Sequence, residues 1–155
     1  MGDTLTVELL IVLRIGLAMA LGAVIGLERE FATRSAGLRT HMLIAGMAAL
    51  IVGLGKLLAD DFTEEDYRSL VRVEPVNLIS AVIAAVGFVG TGTIIQQGRT
   101  EQVHGLTTAA SLLMVSGIGI AAGFNHYVLA IGATLLSVFV LLVLRWWEER
   151  RTRRD

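Results

Sequence analysis

Five hydroxyl side chains stand inside or beside long apolar runs. Thr91 and Thr93 lie in GFVGTGTIIQQG, and Thr107, Thr108 and Ser111 lie in HGLTTAAS. A hydroxyl so placed has two uses. It can donate to the carbonyl three or four residues back in its own helix. Alternatively, several hydroxyls can face one another and line an ion or solute site, here with Gln96, Gln97 and His104 at the mouth. Both uses are open on sequence alone. A second constellation is charged. In GLEREFATRSAGLRTH, Glu28, Arg29 and Glu30 end one apolar run, and Arg39 and His41 begin the next. Charges at such a place are either topology markers or, for Glu28, Arg29, Glu30 and Arg39, an ion network joining two helices. Losing one partner of a buried network is costly, whereas keeping all of them need not stabilise. Arg14 stands apart inside the first run, where it must snorkel outward or find a carboxylate.

The elements that position these groups follow from composition. The 155 residues are 54% hydrophobic and 17% charged, with a mean hydropathy of +0.70. A soluble domain of this size could not cover so much apolar surface. Five runs are long enough for a bilayer, which takes about 20 residues per helix. They cover about 9–27, 41–59, 76–97, 106–124 and 127–145. The sequence therefore predicts an all-α, polytopic helix bundle with five transmembrane helices. Residues 1–147 form one membrane domain and 148–155 a basic tail. The acidic leader MGDTLTVE and Arg14 argue against a secretory signal, so the first run is a retained helix. Arg29, Arg34, Arg39, Arg99 and the five arginines from Arg145 to Arg154 share one side; Lys56, Arg68 and Arg72 share the other. That asymmetry predicts an outer N-terminus and a cytoplasmic C-terminus. In the outer loop, Thr63 can cap a short helix, Pro75 can open the third span, and Asp60, Asp61, Glu64, Glu65 and Asp66 either sit solvated or bind divalent cations.

Small residues recur every fourth position: Ala18, Gly22 and Gly26; Ala45, Ala49 and Gly53; Gly119 and Gly123. Such stripes let helices approach closely, and they predict a tight bundle that also self-associates. Gly87, Gly90 and Gly92 share no such spacing. They permit local unwinding, tolerated at membrane depth only inside protein or beside a wet cavity, and here they are expected to let the third and fourth helices pack around the hydroxyls. GIGIAAG at 117–123 fits a dinucleotide pattern, but it follows no strand and lies mid-span. There is no cysteine. No nucleophile–base pair, metal triad or nucleotide loop stands out, so no enzyme, no cofactor and no nucleic-acid partner is expected.

GAVIGLERE, AGLRTH, GFVGTGTIIQQG and VHGLTTAAS, in this order from Leu17 to Gly123, resemble the membrane domain of the MgtC/SapB family. The resemblance implies a bacterial inner-membrane protein tied to growth in low magnesium and to survival in host cells. It also implies action by binding partner membrane proteins, of transport-ATPase or ATP-synthase type. The family's charged motif falls on Glu28, Arg29, Glu30 and Arg39, and its glycine–threonine motif on Gly87, Gly90, Thr91, Gly92, Thr107 and Thr108. Many members carry a further cytoplasmic domain after the fifth span; this sequence ends at Asp155, so no function of that domain is carried over. Two functions remain: a regulator of magnesium and ion homeostasis, or a small oligomeric channel or transporter. Bulk at an exposed stripe such as Gly119/Gly123 should disable the regulator while leaving it folded. Thr91→Val or Thr107→Val should disable the transporter.

Overall fold

The computed structural model describes the backbone over residues 2–61, 74–97 and 105–152, and side chains over 4–59, 74–94 and 105–146. The acidic segment from Phe62, residues 98–104 with Arg99 and His104, and the side chains of Gln96, Gln97 and the basic tail lie outside them.

Five helices follow one another: α1 (Gly2–Phe31), α2 (Leu38–Asp61), α3 (Pro75–Gln97), α4 (Leu106–Gly123) and α5 (Tyr127–Thr152). Each is long and apolar enough to cross a membrane. All five expected spans are present, and no strand occurs among the described residues. The helices overrun the apolar runs because charged residues at an interface remain good helix formers; Glu28, Arg29 and Glu30 all belong to α1. Pro75 opens α3, as its fixed φ and missing N–H favour. The glycine-rich stretch stays helical, so Gly87 to Thr93 are not unwound.

Both described turns that close a helix end the same way. After α1, Thr33 N–H reaches the Glu30 carbonyl and Arg34 N–H the Arg29 carbonyl, with Thr33 at φ 53°. After α4, Asn125 N–H reaches Ala122 and His126 N–H reaches Ala121, with Asn125 at φ 66°. These are Schellman turns. Asparagine tolerates the left-handed position, whereas β-branched Thr33 does so only under strain.

The core helix is α4. It packs on each of the others, and 61% of its span is buried, against 17% for α3 and 11% for α5. One apolar cluster joins α1, α2, α4 and α5 through Ala18, Ile25, Ala45, Ala49, Val115, Ile118 and Ala130. A second joins α2, α3 and α4 through Ala48, Val52, Val82, Val86 and Leu112. The stripes make these approaches possible. A Cβ on Gly22 would meet the His41 carbonyl oxygen at 2.7 Å, one on Gly26 the Leu38 Cα at 2.7 Å, and one on Gly123 the Val52 Cβ at 2.8 Å. Gly119 sits against the Ala45 carbonyl and the Ala48 Cβ. Gly119 and Gly123 are thus buried against α2 rather than exposed. Bulk there probes folding, not the docking of a partner.

Candidate functional site

Near the ends of α1, α2 and α4 that share the 28–41 and 105–111 segments, polar side chains are buried together. Glu28, Arg29, His41, Thr108 and Ser111 are all buried, and His41 is fully so. They reach the interior because Gly22 and Gly26 let α2 come down onto α1, and α4 closes over both.

His41 is the hinge of this cluster. Its Nδ1 lies 2.8 Å from the Gly37 carbonyl oxygen one turn back, and its Nε2 lies 3.0 Å from Ser111 Oγ on α4. A carbonyl only accepts, so Nδ1 carries the hydrogen. Ser111 Oγ also stands 2.8 Å from the Thr108 carbonyl oxygen. One hydroxyl hydrogen serves two acceptors. With a neutral ring, Ser111 donates to Nε2; with a charged ring, Nε2 donates to Ser111, which then donates to Thr108. The protonation of the ring and the direction of the Ser111 hydroxyl are therefore coupled. Ser111→Ala leaves Nε2 facing an empty corner and is expected to cost about 1–3 kcal/mol. Thr91→Val, on an exposed and locally satisfied hydroxyl, is expected to stay within about 0.5 kcal/mol. Thermal unfolding of both variants in detergent, followed by circular dichroism, checks the contrast.

Beside His41 lies the charged pair. Arg29 Nη1 is 3.8 Å from Glu28 Oε2, too long for a hydrogen bond but close enough for strong attraction when both are buried. Arg29 Nη2 also donates to Thr108 Oγ1 at 3.4 Å, which ties α1 to α4. Glu30 is exposed and serves differently: its Oε2 accepts the Leu38 backbone N–H at 2.7 Å, satisfying a free donor at the start of α2. Arg39 is exposed on the first turn of α2. The four charged candidates thus share one end of the bundle, but only Glu28 and Arg29 enter its interior.

The hydroxyls divide as well. Thr91 is exposed and donates to the Gly87 carbonyl, and Thr93 donates to the Gly90 carbonyl. Thr107 is exposed, whereas Thr108 and Ser111 are buried. Of the α3 glycines, Gly90 faces Ala109 of α4, at 3.2 Å from an added Cβ to the Ala109 Cβ, while no described atom comes within 4 Å of one added at Gly87 or Gly92. Sequence reading underrated His41. Its signal was a ring four residues after Gly37, on the helix facing the Gly22/Gly26 stripe.

Two cavities border the cluster. Arg29, Thr33, Arg34, Ser35, Thr107 and Thr108 line a polar one of about 360 Å³, and an apolar one of about 370 Å³ runs between α4 and α5.

Residues 15–150 match the MgtC family. The chain is similar to the protein MgtC of Salmonella typhimurium, 35% identical over 133 residues, covering 86% of this chain and 52% of that one. It is similar to the protein SapB of Bacillus subtilis, 32% identical over 145 residues (94% and 60%). It also resembles the Escherichia coli K12 protein named "Putative magnesium transporter YhiD", 36% identical over 126 residues (81% and 56%). The chain spans between 52% and 60% of the length of these relatives. No solved structure matches it.

Proposed function

The chain belongs to the MgtC family, and from that premise we propose that this multi-pass bacterial membrane protein supports magnesium and ion homeostasis by regulating partner membrane proteins, without catalysing a reaction of its own. It sits in the inner membrane with its N-terminus outside, on the strength of the arginine asymmetry. The magnesium link draws on the name of the YhiD relative. The regulatory reading draws on how the polar side chains are spent. Arg29–Thr108 ties α1 to α4 and His41–Ser111 ties α2 to α4, while Thr91 and Thr93 are turned onto their own helix. This leaves outer helices α3 and α5 with broad apolar faces, including Phe88, Val128, Leu136 and Phe139, on which a helical partner or a further copy of the chain can pack.

The transporter reading keeps one support, the hydroxyl oxygens of Thr107 and Thr108 at the polar cavity and of Ser111 at the apolar one. Purified protein in liposomes distinguishes the two. The expected result is no flux of magnesium, protons or phosphate from correctly oriented protein, identical for the parent and Thr91→Val. Flux abolished by Thr91→Val or Thr107→Val would overturn regulation and assign the pathway to the hydroxyls.

A further inference from the structure

Arg14 lies inside the apolar part of α1, about 21 Å along the helix from Glu28. It is half-buried, and its Nε is enclosed without a hydrogen-bond partner among the described residues. No carboxylate among them forms an ion pair with it. Glu28 is paired with Arg29, Glu30 holds the start of α2, and Glu74 precedes α3, which does not touch α1. Glu8 is six residues back and roughly 120° away around the helix. A guanidinium at membrane depth is costly, and such residues ordinarily meet a counter-charge. We propose that Arg14 anchors a docking seam for a partner transmembrane helix that carries an aspartate or glutamate at the same depth. This assignment rests on the regulatory reading and adds the chemistry by which a partner is recognised.

The seam follows from helix periodicity. Leu10, Arg14, Leu17, Leu21 and Val24 recur at alternating steps of four and three, so they share one face of α1. Leu10 and Val24 are exposed, and Arg14, Leu17 and Leu21 are half-buried. Such a row of half-covered side chains offers the knobs that a crossing helix takes up. Its first turns are open because α4 is short. Gly123, the last residue of α4, sits against Val52 of α2, and the next α2 residue, Gly53, faces Ile11 of α1. Residues 2–10 of α1 therefore run about 13 Å past the end of α4. Arg14 stands one turn below that step, where the cover of α4 ends.

Charge selects the occupant. Side chains on a helix lean toward its N-terminus, so Arg14 reaches toward the open step. A second copy packed through the same seam about a twofold axis would set Arg14 against Arg14 at one depth, a like-charge contact. An uncharged helix would leave the guanidinium as it is. A helix with one carboxylate at this level pairs it, in surroundings where little water competes.

The test places the full chain in phosphatidylcholine vesicles with synthetic, lysine-flanked transmembrane helices of leucine and alanine. These hold Asp, Asn or Leu about five residues from one end. The chain has no cysteine, so Ser35→Cys, exposed in the α1–α2 turn, takes a donor dye and the peptide an acceptor. By energy transfer at neutral pH, the Asp peptide is expected to bind about tenfold more tightly than the Leu peptide, with the Asn peptide between them. Arg14→Leu is expected to erase that preference and Arg14→Lys to keep part of it; should Arg14→Leu fail to fold by circular dichroism, Arg14→Gln takes its place. Moving the Asp to the middle of the peptide is expected to erase the preference too. Equal binding of the Asp and Leu peptides would overturn the proposal. So would an Asp preference that survives the loss of Arg14, which would place the attraction elsewhere. Adding phosphatidylglycerol to the vesicles is expected to leave the preference intact; its loss there would give Arg14 to lipid phosphate and overturn the proposal as well. None of these outcomes touches the flux measurement, which decides the regulatory reading by itself.

Discussion

Replacing Gly119 by leucine is expected to prevent assembly of the bundle, while the same change at Gly117, two residues away on the same helix, leaves it folded. The difference lies in what a side chain would meet. At Gly119 the first carbon already collides with the Ala45 carbonyl of α2, and the Ala48 Cβ stands 2.9 Å off. A carbonyl inside a helix cannot turn aside, so α2 and α4 must separate. Separation opens both apolar clusters, because each includes residues of α2 and α4. At Gly117 no described atom lies within 4 Å of an added Cβ. Overpacking of a tight interior ordinarily costs about 1–3 kcal/mol, and a backbone clash between two core helices puts Gly119→Leu at or above the top of that range. Gly119→Ala is expected within it, and Gly117→Ala at or slightly above parental stability, as alanine favours helix by about 1 kcal/mol over glycine. Unfolding by sodium dodecyl sulfate from mild detergent micelles, read by circular dichroism, measures all four. Equal stability of the two leucine variants would mean that α4 does not sit on α2 through this face.

The contrast between these glycines shows what sequence can and cannot reveal in a membrane bundle. The five spans were legible because bilayer thickness fixes the length of an apolar run, and the fourfold spacing of Gly22/Gly26 and Gly119/Gly123 marked close approach correctly. Which neighbour each stripe meets was not legible. In water, polarity separates a helix's outer face from its inner one. In lipid both faces are apolar, so periodicity gives no inward direction. That is why Thr91 and Thr107 read as equals of Thr108 and Ser111, although only the latter pair is buried. It is also why Gly119 and Gly123 read as a surface open to partners. His41 was obscured for a related reason: at the start of a span, a histidine looks like an interface marker until the packing of α4 on α2 places Ser111 against it.

Substituting Arg29 by methionine is expected to destabilise the protein by about 3–5 kcal/mol, the cost of leaving one member of a buried pair without its counter-charge. Glu28 is 7% exposed, and its Oε2 accepts no hydrogen bond among the described residues. The Arg29 guanidinium at 3.8 Å is therefore its main compensation there. The loss of the Thr108 contact adds to the effect. If the pair is the cause, removing the carboxylate charge as well must restore much of what was lost. Glu28→Gln with Arg29→Met is accordingly expected to be more stable than Arg29→Met alone, with a coupling of about 2 kcal/mol in the double-mutant cycle. Glu28→Gln alone should be the mildest of the three, because Arg29 keeps its hydroxyl partner. Measuring all four proteins in the same detergent, by the same unfolding titration, closes the cycle. If both residues were topology markers at a wet interface, each change would fall within about 0.5 kcal/mol and the cycle would show no coupling. Additive large losses would point instead to packing by the Arg29 stem. Only a large single loss partly reversed by the second substitution fits an ion pair enclosed by α1, α2 and α4. In that arrangement the charged motif holds the bundle together, and its hydroxyl neighbours inherit their positions from it.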